Sequence, residues 1–230
     1  MTEERWALKI LRERRLKISL INDANDPFEL LGASVGEKKT RSIMKTLHSH
    51  WVSTLGMLCM TTDWKSPVMW AHYADKHHGL CLGFDVSEDA APREVQYSPQ
   101  KLNLVIDLQH KTAGITADLI NTIVLTKFKE WSYEKEFRIF TQRVERDTDD
   151  KYYYDLSPSV VLREVIIGHR CEIKPSELRS HVGSVEKSVS IFKARPAFNA
   201  FEMVRQQKLT PVVVKPTNRP IKPPLLDAKH

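Results

Sequence analysis

The sequence predicts an α+β fold, a single domain with a mixed, mostly antiparallel sheet and packed helices. Three observations carry this. Apolar alternation of strand type and helical periodicity are interspersed without the regular β-α repeat of a doubly wound sheet. Residues 66–85 read as a short helix, a stop and a buried strand. Residues 127–140 pass into a strictly alternating run, and residues 152–156 return as a strand, which together predict a hairpin. The domain is expected over residues 1–205, followed by a polar tail over 206–230.

Taken in order, residues 3–15 predict an amphipathic helix whose stripe is Trp6, Ala7, Ile10 and Leu11. Residues 16–21 alternate as a strand. Asn22, Asp23, Asn25 and Asp26 precede Pro27 and mark a turn that opens into a helix, with Asp26 as its N-cap and Pro27 in its first turn. Residues 37–51 are helix-compatible, and residues 57–60 are a short apolar strand. Ser66 is a good N-cap and Pro67 suits the first helical position, where its missing N–H is not needed. Trp70, Tyr73, Ala74 and His77 then share one helix face and His72 and Lys76 another. Gly79 is expected to end the helix in the left-handed region, and residues 80–86 follow as a strand. Residues 101–130 read as helical, broken near Gly114. In a strand from Tyr133, Glu134, Glu136 and Arg138 line one face. Arg138 can reach Glu136 but hardly Glu134. Glu136 is then the paired carboxylate, and Glu134 is left for chemistry or for a cross-strand base. Residues 160–167 and 188–194 are further strands, and residues 174–182 a helix.

Composition limits the function classes. The chain has 230 residues and a net charge of +6 at pH 7, of which +4 belongs to residues 206–230, so the body is near neutral. Five of the twelve prolines lie in that tail, which predicts an extended, disordered segment able to contact nucleic acid. No run of eighteen apolar residues occurs, and no secretory leader pattern opens the chain, so no membrane partner is expected. Three cysteines, Cys59, Cys81 and Cys171, suit reduced thiols and a cytoplasmic protein. There is no phosphate-binding glycine loop and no dinucleotide fingerprint. His72, His77, His78 and Cys81 match no zinc spacing, so no metal is expected. Cys81, in an apolar strand, is expected to be an inert thiol.

Three segments together resemble a bacterial family catalogued as domain of unknown function 2971. They are Asn25-Asp26-Pro27-Phe28-Glu29, then residues 67–74 with 79–85, then Trp131-Ser132-Tyr133-Glu134-Lys135-Glu136-Phe137-Arg138. The resemblance covers roughly residues 5–195. Against the family pattern, the usual first strand is absent and the tail after Arg205 is extra. The layout is also similar to small ADP-ribosyltransferase-like domains, a likeness of fold alone. That likeness implies an NAD-binding cleft in which Glu134 or Glu136 is the late glutamate that polarises a ribose, with His72 and Tyr73 near the nicotinamide.

The candidate catalytic residues are therefore Glu134, Glu136 and His72, and the candidate substrate-binding residues are Tyr73, Arg138, Trp70 and Asp26. The function expected is a bacterial cytoplasmic enzyme directed at a nucleotide or at NAD as substrate, of the toxin or phage-defence effector kind. A nucleic-acid-binding or interaction module without catalysis is the alternative. A third reading makes the same residues structural: a capped turn, an aromatic core and an ion-paired sheet face.

Overall fold

The computed structural model describes residues 1–34, 36, 38–103, 116–142 and 146–216. It is an α+β protein whose chain divides into two compact units: residues 1–16, 63–90 and 154–230, and residues 17–62 and 91–153.

The first unit is built on a mixed five-stranded sheet. Val160–Ile167 runs parallel to Val189–Pro196 and antiparallel to Leu80–Val86. Val189–Pro196 also pairs antiparallel with Met203–Arg205 and with Val212–Val214. Both faces of this sheet are covered, which is why its central strands are nearly continuous apolar runs. Val165, Ile167, Leu80 and Ile191 pack with Ala7 and Leu11 of the helix Glu4–Glu13 and with Leu178 and Val182 of the helix Pro175–Val182. Their neighbours Ile166, Cys81 and Phe192 point the other way, onto Trp70 and Ala74.

The helix bearing Trp70 is Pro67–Tyr73, with Ser66 Oγ accepting from Met69 N. It does not stop at Gly79 in the left-handed region. The chain reverses earlier, through positive φ at Asp75, Lys76 and His77. Gly79 serves a different need: a Cβ there would run into the Thr2 carbonyl, with which Leu80 forms an antiparallel bridge.

The second unit has a three-stranded antiparallel sheet with Glu136–Gln142 at its centre. Its partners are Leu55–Thr61 and Arg93–Glu94, not the Tyr153–Asp155 strand that sequence proximity suggested. The helix Lys38–Thr54 leads directly into Leu55–Thr61, and Met44 and Trp51 pack on Met57, Ile21, Leu30 and Ile123. The helix Ala117–Val124 is capped by Thr116 Oγ1, which accepts from Leu119 N at 3.1 Å. The expected break near Gly114 lies outside the described residues. Thr126–Phe128 is a strand, not helix, and pairs in parallel with Gln96–Ser98.

The extended tail expected from Gln206 is, up to residue 216, part of the first unit. Val212–Val214 supplies a strand and Val214 is buried in the core, because three β-branched apolar residues in a row gain more as an added strand than as solvated chain. Residues 217–230 lie outside the described residues.

Candidate functional site

Alternation places Glu136 and Arg138 on one face of the central strand of the second unit, and the structure keeps them there. Glu134 is not on that strand. Residues Lys129–Glu134 form a 3-10 helix that ends at Lys135, whose φ of 44° breaks the alternation before Glu136. Glu134 nonetheless joins the same cluster, because Lys127 Nζ donates to Glu134 Oε2 at 2.5 Å and to Glu136 Oε2 at 3.0 Å.

Arg138 is the hub and is 0% exposed. Its Nε donates to Glu136 Oε1 at 2.8 Å and its Nη2 to Glu136 Oε2 at 3.1 Å, a bidentate pair. Its Nη1 donates to the Val124 carbonyl at 2.7 Å and lies 2.7 Å from Glu29 Oε1. A guanidinium with no access to water must satisfy its donors internally, and these four contacts engage four of its five N–H groups. Glu29 is carried by the turn that begins at Asp26, whose Oδ1 accepts from Phe28 N at 2.9 Å. Asp26 thus closes a turn rather than capping the expected helix: residues 27–30 are turn. The Lys127 ammonium also sits 5.1 Å from the centre of the Trp131 ring.

Three carboxylates against two cations leave the cluster short of positive charge, and the carboxylates respond differently. Burial pushes the Glu136 carboxyl up, but the hydrogen bond and charge of Arg138 and then Lys127 outweigh it and hold it at about 2. Glu29 goes the other way: its burial outweighs the attraction of Arg138 and Lys127, and its carboxyl is raised. Lys127 is raised although burial opposes it, because Glu136 and Glu134 favour the ammonium.

Beside this cluster the second unit has an open pocket of about 430 Å³, walled by Thr62, Glu94, Val95, Gln96, Tyr97, Ser132, Lys135, Glu136 and Phe137. Tyr97 Oη accepts from Glu136 N at 2.9 Å, and burial raises the phenol. Glu136 therefore belongs both to the pocket wall and to the buried cluster. Hydroxyl, amide, ammonium and carboxylate groups around a cavity of this size suit a small polar ligand.

Trp70, His72 and Tyr73 belong to the first unit. Trp70 is 0% exposed and its Nε1 donates to the Trp64 carbonyl at 2.6 Å. It has no surface to offer a ligand, so the substrate-binding role expected of it gives way to packing. His72 is exposed and Tyr73 half-buried, with their rings 6.2 Å apart. Cys81 is buried and its thiol raised by that burial, as an inert thiol should be; Cys59 keeps exposed surface, yet burial and the Glu136 carboxylate push its thiol well up. Among the described residues, no group of three or more His, Cys, Asp or Glu is arranged to hold a metal. No described helix is long and apolar enough to cross a membrane.

The sequence reading missed Lys127, Glu29 and Tyr97. Lys127 and Glu29 lay inside quoted segments, but nothing local marks a lysine as buried. Only the return of the chain past Glu134 and Glu136 creates its partners.

The fold and the cluster define an α+β protein in which one residue, Glu136, belongs to a polar pocket wall while its carboxylate is held in a buried charge network. Residues 69–139 match the family model described as Protein of unknown function (DUF2971), so the resemblance read from the sequence is shown over that stretch. It contains Trp70, His72, Tyr73, Lys127, Glu134, Glu136 and Arg138; Asp26 and Glu29 lie before it. No curated protein and no solved structure matches the chain.

Proposed function

We propose that this chain is a bacterial cytoplasmic enzyme acting on a nucleotide or NAD-like substrate, of the toxin or phage-defence kind, with the substrate's ribose held at the pocket of the second unit. The observation that supports this reading is Glu136, a residue of the polar pocket wall whose carboxyl is held at about 2 by Arg138 and Lys127.

So acidic a carboxylate is a poor proton acceptor near neutral pH. It is suited instead to accept hydrogen bonds from ribose hydroxyls and to offset positive charge at the anomeric carbon as the bond to the base breaks. The base leaves with the bonding electron pair, and water or an acceptor hydroxyl closes on that carbon and gives up its proton to bulk water. Glu134, Lys127, Arg138 and Glu29 position Glu136. Thr62, Glu94, Gln96, Tyr97, Ser132 and Lys135 are the other polar residues of the pocket wall. His72 and Tyr73 have surface to offer, but the reading is built on the second unit alone.

The test is incubation of the purified chain with NAD, with chromatographic measurement of nicotinamide. Release is expected from the wild type, with a loss of about 10²-fold or more in E136Q. Because E136Q also strands Arg138 and Lys127, K135A at the exposed pocket rim is measured beside it. It should keep its fold and raise KM. Absence of both nicotinamide release and a thermal shift with NAD or ATP would refute the reading.

A further inference from the structure

In the first unit, the strands Val189–Pro196 and Met203–Arg205 form a hairpin whose tip carries Phe198 and Phe201, 88% and 101% exposed. Single exposed aromatics are ordinary. Two almost wholly exposed rings at one turn are not, since burying either would gain more than most side chains can. The tip is held rigidly. Ala197 N donates to the Glu202 carbonyl at 2.9 Å, and Met203 N donates to the Lys65 carbonyl at 2.7 Å.

Charge accompanies the rings. Residues 189–216 contain five cations, Lys193, Arg195, Arg205, Lys208 and Lys215, and a single carboxylate, Glu202. The Arg195 guanidinium lies 4.4 Å from the centre of the Phe198 ring, and Glu202 lies 3.8 Å from Lys65 Nζ. Arg205 and Lys208 are exposed.

We propose that this hairpin docks single-stranded nucleic acid, with Phe198 and Phe201 as stacking platforms for successive bases and with Arg195, Arg205 and Lys208 meeting the phosphates. Aromatic rings interleaved with cations are what an unpaired polyanion with exposed base faces requires. The charge surplus argues against an apolar protein groove as the partner. Asn199 and Glu202 argue against a lipid surface: inserting both rings into a bilayer would drag an amide and a carboxylate out of water beside them. Stacking leaves both groups hydrated.

Fluorescence anisotropy of the full chain with labelled 15-mer oligothymidylate and oligouridylate, from 50 to 200 mM NaCl, tests this. Binding should weaken steeply with salt. F198A and F201A should each weaken it by about fivefold or more, and R195Q should flatten the salt dependence by about one unit of slope. Both rings are exposed, so a thermal midpoint equal to wild type checks that the phenylalanine variants fold. Absence of oligonucleotide binding at 50 mM NaCl overturns the proposal, and so does wild-type affinity in the F198A/F201A double variant. Sedimentation with phosphatidylcholine–phosphatidylserine vesicles in place of oligonucleotide binding would assign the hairpin to membranes and also overturn it.

Discussion

The two units hold their sheets together with opposite chemistry. At the middle of the first, Val165, Ile166 and Ile167 are fully buried among aliphatic and aromatic neighbours. At the middle of the second, the equally buried side chain is Arg138, held between Glu136 and Glu29. Apolar packing is non-directional and tolerates a change of shape at moderate loss. A buried ion network adds little net stability over an apolar core, but it permits one arrangement only, because any change of partner leaves a bare charge. The first unit is therefore expected to resemble an ordinary core, and the second a device that fixes Glu136 in position.

The largest effects should come from deleting each hub. R138L strands two buried carboxylates and should lose about 3–5 kcal/mol in urea unfolding. W70A should lose a similar amount, about 3–5 kcal/mol, by leaving a cavity. The difference lies in rescue. Replacing Glu29, Glu136 and Arg138 together by leucines should recover most of the first loss, while no polar change elsewhere recovers the second. An R138L variant within about 1 kcal/mol of wild type would show the network open to water and end the comparison.

A smaller effect is expected with pH. Glu136 has a folded value of about 2 against an ordinary 4.5, so its contribution is present above 4.5 and lost as pH falls from there to 2. Glu29, raised by burial, runs in the opposite direction and subtracts from this fall. The net loss should be at most on the order of 3 kcal/mol. Urea midpoints at pH 6, 4.5, 3 and 2.5 should drop for the wild type and follow a flatter course for E136Q. Parallel curves would mean that Glu136 is not the acid-sensitive group.

The smallest effect should be the same in both units. S66A in the first and T116A in the second each remove one helix cap, and each should lose about 1 kcal/mol. Unequal losses would show that caps, too, depend on the chemistry of the core behind them.

Where local signals sufficed, the sequence was legible. The Asp26 turn, the Ser66-Pro67 helix start, the Leu80–Val86 strand and the Arg138–Glu136 pair each depend on residues within a few positions of one another. Glu134 was misplaced because alternation over 133–139 continues unbroken in the sequence while the backbone turns at Lys135. Val212–Val214 was assigned to an extended tail because surrounding prolines and lysines outweighed a three-residue apolar run whose partner strand lies some twenty residues earlier.

By itself, then, the sequence determined the α+β class, the helix start at Ser66, and the pairing of charges two residues apart, all of which follow from backbone geometry and short-range chemistry. Tertiary structure alone decided that Lys127 bridges Glu134 and Glu136 and that Glu29 meets Arg138. Those outcomes depend on which distant segments converge, and on the water they exclude when they do, and neither quantity is written in any local stretch of the chain.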